Sequence, residues 1–457
     1  MEKETIRYSK EIPLYKDVDV VVAGAGPAGI GAAVCAARAG AKTLIFDQAG
    51  CVGGMATIGL VGPFMTCYDA QGKKQIIKGV FEELVERMAE KGGAIHPDDI
   101  GPECSYSGWY KIGHNHVGPF DHECLKREAA AMLKEAGADI LLHTSFVDVL
   151  KEEGRITGVV IHNKAGLSLI RAKQVIDCTG DGDVAVSSGE DFLLGNGKGE
   201  MQSATLFFRV YNVDSQKLDA HIKEHRDEIR PFYGPFSWLI RDKKEEWGIP
   251  RGEVCLFEGL TKGEYRMNVS RLLHLDGTNP DELTRGEIEG MAQTAHIFSF
   301  LKKYAPGFEN AVFMGDAATL GLRETRHIKG KYCLTGEDVL SGRVREDSIA
   351  VLGTSIDMHN EKDEGGSYYV LEDKPYYGVP FACLVPEKTE NLLVAGRSIS
   401  ADETAFSSIR MIPCCIAFGQ AAGTAAAMAL QQGNNPADIN PEELRQKLRE
   451  QNVYLGE

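Results

Sequence analysis

Residues 19–29 read Asp-Val-Val-Val-Ala-Gly-Ala-Gly-Pro-Ala-Gly, an apolar run followed by three glycines in the spacing Gly-x-Gly-x-x-Gly. In this pattern the first glycine allows a tight turn and the second lets the backbone approach a pyrophosphate. The third lets the following helix pack against the strand. A helix that starts at Pro27 would point its free N–H groups at the phosphates. The stretch therefore predicts a dinucleotide site on a strand–turn–helix unit.

A second apolar run, residues 42–46, ends at Asp47. This carboxylate follows the glycines by about twenty residues, where it can accept hydrogen bonds from ribose hydroxyls. With the small-residue helix over 27–39, the two runs form a βαβ unit that opens a doubly wound α/β fold. This context disfavours the alternative, a glycine turn of purely structural use.

Three later stretches have features that suit the same ligand. Residues 50–62 are glycine-rich, and the paired Gly53 and Gly54 let the backbone pass close to a flat ring or a diphosphate. Residues 175–183 form an apolar strand that runs into a Thr-Gly turn, and residues 391–397 repeat a strand followed by glycine. Residues 419–426 are predicted to begin a helix whose positive end faces a ring oxygen.

Together these stretches resemble the glutathione-reductase-like flavoproteins, and more closely the FAD-dependent oxidoreductase family near the fumarate reductase and succinate dehydrogenase flavoproteins. The resemblance covers nearly the whole chain and rests on residues 53–57, 175–183, 321–326, 334–339, 391–397 and 410–423. It implies FAD and redox chemistry, and it implies no particular substrate. The cofactor contacts assigned on this basis are Gly24, Gly26, Pro27, Ala28, Gly29, Asp47, Gly53, Gly54, Met55, Ala56, Thr57, Val147, Thr179, Gly180, Asp181, Gly396, Arg397, Gln420, Ala421 and Ala422.

The chain departs from these flavoproteins in ways that affect the chemistry. Covalent FAD is held through a histidine just before the paired glycines, whereas residues 48–52 read Gln-Ala-Gly-Cys-Val, so we expect non-covalent FAD. Cys51 and Cys67 lack the four-residue spacing of the disulfide reductases. No second complete glycine fingerprint for NAD(P) is present. Electrons are therefore expected to pass to or from a partner: an electron-transfer protein, a quinone, oxygen or a second substrate.

The chain is long enough for two packed domains. From about residue 189 to residue 380 the βαβ rhythm gives way to short strands and charged helices. We predict an α/β architecture in which a Rossmann-like FAD-binding domain, residues 1–188 and 381–457, carries an inserted α+β substrate or cap domain, residues 189–380.

Two charged clusters in the inserted segment are candidates for catalysis. Arg323 and Arg326 are three apart, so on a helix they would share a face and could clamp a carboxylate or phosphate. The alternative is a structural ion pair of Glu324 with an arginine. Asp357 and His359 are two apart, so on a strand they would face the same side and could pair as a general base. The alternative is a structural histidine.

A third catalytic candidate is Arg410, which by resemblance approaches the flavin and the substrate. A structural pairing of Arg410 with Glu403 is the alternative. The adjacent Cys414 and Cys415 are interpreted as two buried thiols, because a disulfide between neighbours is strained, and a redox role is the alternative.

The insert at residues 109–116 combines aromatic side chains with His114 and His116. It is a candidate substrate lid in which Trp109 and Tyr110 pack. A metal site is the alternative, which two histidines without a third ligand support only weakly, so no metal ligands are assigned.

Composition and charge limit the choice of partners. The formal net charge is −16, which disfavours nucleic acid and anionic membranes. Residues 412–430 carry no charge but are rich in Ala and Gly and contain Gln420 and Thr424, so a buried helix is expected rather than a membrane span. Eleven scattered cysteines and a polar start without a secretory leader indicate a reducing cytoplasm.

The function predicted from these observations is that of a dehydrogenase or reductase. It would move a hydride between FAD and a small polar organic molecule. A flavin oxidase that passes electrons to oxygen is the alternative among enzymes. An electron-relay flavoprotein subunit with no substrate pocket of its own is the alternative outside them. The oligomeric state stays open, with a homo-oligomer as one option.

Overall fold

The computed structural model describes residues 5–110, 113–114, 116–229, 234–359, 367–371 and 373–456. The strands in these residues are β1 (Leu14–Ala23), β2 (Thr43–Phe46), β3 (Asp139–Leu141), β4 (Ser145–Glu152), β5 (Arg155–Asn163), β6 (Gly166–Asp177), β7 (Phe192–Leu194), β8 (Phe208–Tyr211), β9 (Cys255–Glu258), β10 (Tyr265–Asn268), β11 (Val312–Asp316), β12 (Arg326–Ile328), β13 (Ser348–Leu352), β14 (Ile356–Met358), β15 (Ser367–Tyr369), β16 (Tyr377–Pro380) and β17 (Leu392–Val394). The helices are α1 (Pro27–Arg38), α2 (Val80–Glu90), α3 (His122–Ala136), α4 (Asp183–Ser187), α5 (Ser215–Glu224), α6 (Ser237–Trp247), α7 (Pro280–Tyr304), α8 (Gly336–Ser341), α9 (Glu403–Ile409), α10 (Ile412–Gln432) and α11 (Pro441–Glu450).

The main sheet has the strand order β3-β2-β1-β6-β5-β4, with β17 beside the C-terminal half of β6. Strands β3, β2, β1, β6 and β17 are parallel, and β5 and β4 continue the sheet antiparallel. The last residues of β1, β2, β6 and β17 lie in register: Ala23 pairs with Phe46 and Asp177, and Asp177 pairs with Val394. The turns that follow these strands therefore meet at one edge, where open α/β sheets bind ligands.

Helices α1 and α10 cross at very short range, because the residues at the crossing are small. A Cβ atom on Gly419 would lie 1.9 Å from the carbonyl oxygen of Ala28, and one on Gly423 would lie 2.1 Å from that of Ala32. This crossing fixes α1, and with it the glycine turn, against the last part of the chain.

The prediction that a helix begins near Gly419 is wrong. Helix α10 begins at Ile412, with Pro413 in its first turn, so Gly419 lies in its middle. Proline is tolerated in a first turn because those N–H groups have no partner within the helix. Gly419 therefore allows α10 to pack closely on α1. The N-terminal end of α10 is formed by Ile412 and Pro413 instead.

Helix α10 is long and apolar enough to cross a membrane by length and composition. It is the one such helix in the described part of the chain, and 89% of its most apolar window is buried inside the protein. It packs on α1 and strand β6 as a core helix, in agreement with the expected buried helix.

A second sheet is antiparallel and has the strand order β11-β8-β10-β9. It forms a separate apolar core with helices α5, α6 and α7. Trp109 from the predicted insert joins this core, where it is 5% exposed. Residues 328–385 contribute Ile328, Leu352 and Val379 to the core of the main sheet. The domain boundaries at 188 and 380 stay a prediction.

Local sequence features explain where several elements begin and end. Asp121 caps α3 by accepting a hydrogen bond from the backbone N–H of Cys124 at 2.6 Å, and Gly137 ends the helix with φ +88°. Helix α2 begins after Gly79, which has φ +65°. The strand predicted at residues 175–183 is the end of a longer strand, β6, which begins at Gly166.

Candidate active site

A cavity of about 460 Å³ lies at the carboxyl edge of the parallel strands and extends to the second sheet. One side is lined by turns of the main sheet: Gly24, Gly26, Asp47, Gly54, Thr179, Gly180 and Gly396. The other side is lined by polar groups from residues 251–410: Arg251, Asn268, Arg323, Asp357, His359 and Arg410. Both sides line the same cavity. A molecule bound at the glycine turn and a molecule bound by the polar groups would therefore lie next to each other.

The turn after β1 has the geometry that its glycines predict. Gly24 has φ +95°, and a Cβ atom there would lie 2.3 Å from the carbonyl oxygen of Cys178, so only glycine fits. A Cβ atom on Gly26 would meet only the Cα of Gly54, at 4.0 Å. The backbone at Gly26 therefore faces open space, as the approach of a pyrophosphate requires.

Asp47 is held beside this turn. Its Oδ2 accepts a hydrogen bond from the N–H of Ala25 at 2.6 Å, and its Oδ1 accepts one from Ala49 at 2.8 Å. The N–H of Gly53 in turn donates to the carbonyl of Ala25 at 2.8 Å. The glycine turn, the ribose-type carboxylate and the paired glycines thus form one connected cradle that fits a dinucleotide.

Most predicted cofactor residues line the cavity: Gly24, Gly26, Pro27, Ala28, Asp47, Gly54, Met55, Thr179, Gly180, Asp181, Gly396 and Arg397. Arg397 also connects three turns. Its Nε donates to the carbonyl of Gly180 at 2.8 Å, its Nη1 donates to that of Leu322 at 2.9 Å, and it pairs with Asp181. It thereby ties the strand turns to the loop that carries Arg323.

Four predicted cofactor residues lie behind the cavity wall and shape it. Gly29 allows α1 to pack on the turn, because a Cβ atom there would lie 1.9 Å from the carbonyl of Gly24. The Thr57 hydroxyl donates to the carbonyls of Val52 and Gly54 and so holds the paired-glycine loop. Gly53 and Ala56 complete that group of wall residues.

The structure places another four predicted residues away from the cavity lining. Val147 lies on β4 and is 46% exposed. Gln420, Ala421 and Ala422 lie in the middle of α10. The Gln420 side chain accepts from the N–H of Val80 and donates to Gln451. The cavity is instead lined by the start of this helix, Met411, Ile412 and Cys415.

The expected arginine clamp does not form, because residues 322–325 are not helical and Arg326 begins strand β12. Arg323 lines the cavity and donates to the carbonyl of Ser203 and the hydroxyl of Thr205. Arg326 points elsewhere and pairs with Asp183 at 2.7 Å. The clamp prediction is wrong for Arg326, whose ion pair lies outside the cavity lining.

The carboxylate of Glu324 pairs with a histidine rather than an arginine. Its Oε1 lies 2.8 Å from Nε2 of His327, and both side chains are at most 2% exposed. Its Oε2 accepts from the N–H of Gln202 at 2.9 Å. The interpretation of Glu324 as a structural group agrees with this burial, although its partner differs.

Asp357, His359 and Arg410 meet in the cavity. Nε2 of His359 lies 3.0 Å from Oδ2 of Asp357, so the predicted pair forms, although His359 lies just beyond the end of β14. Arg410 donates from Nη2 to the carbonyl of Asp357 at 2.8 Å and lies 3.4 Å from its Oδ2. The alternative pairing with Glu403 is replaced by this contact. Within the described part of the chain, the buried Nε of Arg410 has no hydrogen-bond partner.

The charges of this cluster follow from burial and from neighbours. Burial would raise the pKa of Asp357, but His359, Arg410 and Arg323 hold it well below its ordinary value, so the carboxyl is charged. Burial lowers the pKa of His359 to about 3, with Arg323 acting in the same direction, so this imidazole is neutral at neutral pH. Burial and the neighbouring Arg410 lower the pKa of Arg323 to about 9.

Arg251 and Glu253 are cavity residues that the sequence reasoning missed. They form an ion pair of 2.8 Å in which both side chains are at most 8% exposed. Arg251 also donates to the carbonyl of Asn268. Their i, i+2 spacing is the same as that of Asp357 and His359, but residues 251–254 precede β9 and are not in a strand, so the spacing did not predict their pairing.

The two histidines of the insert do not converge. His114 lines the cavity, and its Nδ1 lies 2.9 Å from the carbonyl of Ser107. Both ring nitrogens of His116 face carbonyl oxygens, those of Pro97 and Gly72. Tyr110 is buried in the cavity wall. Lys111, Ile112 and Asn115 lie outside the described residues, and the lid stays a prediction.

All eleven cysteines are free thiols. Cys414 and Cys415 are buried, as expected, and burial raises the pKa of Cys415 to about 12. Cys415 lines the cavity in the thiol form.

A glycine-lined dinucleotide cradle that opens into a cavity of charged groups defines an oxidoreductase of the flavoprotein class. The chain belongs to the family of FAD dependent oxidoreductases, whose family model matches residues 19–448. The protein is therefore an FAD-dependent enzyme with an α/β fold, which confirms the predicted cofactor and class. The finer resemblance to glutathione-reductase-like proteins stays a prediction.

Curated relatives match only part of the chain. A thiamine thiazole synthase of Aeropyrum pernix is 33% identical over 173 residues, which cover 35% of this chain and 54% of that protein. A digeranylgeranylglycerophospholipid reductase of Thermoplasma volcanium is 30% identical over 166 residues, which cover 35% of this chain and 39% of that protein. The matched part thus spans about half of these relatives or less.

Solved structures resemble the whole chain at low identity. A geranylgeranyl bacteriochlorophyll reductase-like protein from Thermoplasma acidophilum has 16% identity and a TM-score of 0.47, covering 95% of this chain and 83% of its own. The p-nitrophenol 4-monooxygenase of Pseudomonas putida has 10% identity and a TM-score of 0.46, covering 97% and 90%.

Proposed function

We propose that the protein is a dehydrogenase or reductase that moves a hydride between non-covalently bound FAD and a small polar organic substrate with an acidic group. The observation that carries this proposal is the cluster of Arg323, Asp357, His359 and Arg410, which lines the same cavity as the glycine turn. A substrate held by this cluster would lie in the space that the dinucleotide cradle also faces.

The charge balance of the cluster favours an anion. Arg323 and Arg410 bring two positive charges, and Asp357 brings one negative charge. Arg251 is balanced by Glu253. The unpartnered Nε of Arg410 is a donor that a bound carboxylate would satisfy. A guanidinium group offers paired donors whose spacing matches that of carboxylate oxygens.

His359 is the proposed proton carrier, and a substrate anion bound beside it would offset the effect of Arg323 and raise its lowered pKa. Its neutral imidazole donates from Nε2 to Asp357, which leaves the lone pair on Nδ1 as the base. Asp357 orients the ring and stabilises the imidazolium that forms when the base takes a proton. When bound, FAD supplies the group that accepts or releases the hydride.

The alternatives differ in what the cavity should contain. An electron-relay subunit needs no convergent polar groups, whereas this cavity has buried charged groups on one side. A flavin oxidase would use the same substrate site and pass electrons to oxygen.

We also propose that the enzyme works in the cytoplasm with its thiols reduced. Electrons would leave or enter through a second substrate or an electron-transfer protein.

The test begins with the cofactor. Purified protein is denatured, and FAD is expected in the supernatant. The intact protein is then screened without oxygen against hydroxy, amino and unsaturated acids, each beside its methyl ester. We expect one acid to bleach the flavin band, or to re-oxidise the reduced protein, while its ester does not. Equal responses to acid and ester would contradict the anion site. Rapid peroxide formation in air would favour the oxidase.

A further inference from the structure

A cluster of metal-ligating side chains lies at the end of α5, in the sequence His-Ile-Lys-Glu-His over residues 221–225. His221, Glu224 and His225 each offer one ligand atom, and these atoms lie within 4.8 Å of one another. None of the three lines the cavity of the proposed active site. We infer that this cluster binds a divalent transition metal, best fitted by Zn²⁺, at a site separate from the oxidoreductase centre.

The helix brings the two imidazoles together. Residues four apart lie on the same face of a helix, and the rings of His221 and His225 have centroids 4.5 Å apart. Aromatic neighbours limit their movement: the His225 ring is stacked on Trp238 at 4.7 Å, and the His221 ring lies 5.9 Å from that of Phe236. Rings that are held in place lose less freedom when a metal binds.

A carboxylate behind His225 is a second, independent sign of a metal site. Nδ1 of His225 lies 2.9 Å from Oε1 of Glu228, and Arg241 approaches the other oxygen of that carboxylate at 3.6 Å. A histidine that binds a metal commonly donates its other N–H to such a carboxylate, which sets the tautomer. With the proton on Nδ1, the lone pair of His225 is on Nε2, ready to ligate.

The donor set decides the kind of metal. Two imidazoles and one carboxylate suit zinc, cobalt, nickel or copper, whereas Mg²⁺ and Ca²⁺ prefer sites made of oxygen ligands. His221 and His225 are half-buried and Glu224 is exposed, so water can complete a tetrahedral arrangement.

A bound metal would stabilise helix α5, which supports the cavity wall. Asp219, also on α5, accepts a hydrogen bond from the indole N–H of Trp109 at 3.2 Å. Trp109 precedes Tyr110, which lines the cavity. We therefore assign the metal a stabilising role at the back of this wall, with no part in hydride transfer.

The site is tested by calorimetric titration of FAD-loaded protein that carries no polyhistidine tag and has been treated with EDTA. We expect one Zn²⁺ per chain and no heat from Mg²⁺. His221→Ala and His225→Ala should abolish stoichiometric binding, and Glu228→Gln should weaken it about 10–100-fold, as for other carboxylates behind a ligand. His162→Ala, an exposed histidine on β5, is the matched control and should bind zinc as the parent does.

A second readout separates loss of the site from loss of folding. Bound Co²⁺ should give the strong visible bands of tetrahedral coordination in the parent, and these bands should be missing in His225→Ala, while the circular dichroism and FAD content of that variant match the parent. The inference is overturned if zinc binds the parent without defined stoichiometry. It is equally overturned if the two histidine variants bind zinc with the affinity of the parent.

Discussion

His359 is a neutral base beside a charged carboxylate, both only partly exposed, and keeping its imidazole neutral lowers the stability of the folded protein at acidic pH. The ordinary pKa of 6.5 is lowered to about 3 in the folded protein. Between these values the unfolded chain binds a proton that the folded protein does not. Stability therefore falls as the pH drops through this window, by about 1.4 kcal/mol per pH unit. The lowered pKa of Asp357 acts only below its ordinary value of 3.8, outside the upper part of the window.

His359→Gln removes this proton linkage. We expect the difference in Tm between the parent and this variant to shrink as the pH is lowered from about 7.5 to about 5, because only the parent has to keep an imidazole uncharged. Scanning fluorimetry at several pH values measures it. His162→Gln, on the exposed side of β5, is the control and should show a constant difference. A constant difference for His359→Gln as well would show that His359 is not held neutral.

Arg323 and Arg326 are expected to behave differently when substituted. Arg323→Gln removes a cation from the cavity, whereas Arg326→Gln removes one that is paired with Asp183. A hydrogen bond to a charged group contributes about 1.5–3 kcal/mol, so Arg323→Gln should raise KM for the acidic substrate roughly 10–100-fold. Arg326→Gln should leave KM near that of the parent. Steady-state kinetics of both variants decide this, and equal effects would contradict the assigned anion site.

At the scale of elements, the crossing of α1 and α10 positions the cofactor cradle. The N-terminus of α1 forms part of the glycine turn, and the helix is held by backbone contact with α10. The crossing therefore links the last part of the chain to the binding of the phosphates, although Gln420, Ala421 and Ala422 do not line the cavity.

Gly423→Ala places a methyl group against the carbonyl of Ala32, where a Cβ atom would lie at 2.1 Å. The helices must separate, which costs about 1–3 kcal/mol by analogy with overpacked cores. We expect a lower Tm and less FAD per chain, measured from the ratio of flavin to protein absorbance. Gly101→Ala is the control, because a Cβ atom there meets nothing within 4 Å. Full FAD content in Gly423→Ala would show that the crossing does not control the cradle.

At the scale of the whole molecule, the cavity joins two packed cores. The main sheet brings the dinucleotide side, and the second sheet with its helices brings Arg251 and Asn268. A ligand that spans the cavity is therefore expected to stabilise the two cores together.

Removal of FAD should lower the Tm of the protein. A ligand at 100 times its Kd stabilises the folded state by about 2.7 kcal/mol, so added FAD should restore the parent Tm in a concentration-dependent way. NAD at the same concentration should not, since the family is one of FAD-dependent enzymes. Equal rescue by NAD would contradict selectivity of the cradle for FAD.

Particular residues show how far the sequence could predict the site. The pairing of Asp357 and His359 was predictable, because side chains two apart in extended backbone face the same side, and His359 directly follows strand β14. The clamp of Arg323 and Arg326 was not, because the segment is too short and too polar to determine its own conformation. Arg251 and Asn268 reach the site from separate segments, and no local pattern connects them to Arg323.

The sequence by itself determined the strand–turn–helix cradle and its acidic partner, and with them the FAD-dependent class. These features are local, since a tight turn against a pyrophosphate demands glycine at defined spacings. Only the tertiary structure decided which charged groups face the cofactor. Arg251, Arg323, Asp357 and Arg410 lie far apart along the chain, and their distances, burial and pKa values arise only where the second sheet packs against the carboxyl edge of the first. Burial is a property of the whole fold, so the neutral state of His359 could not be predicted from its neighbours in the chain.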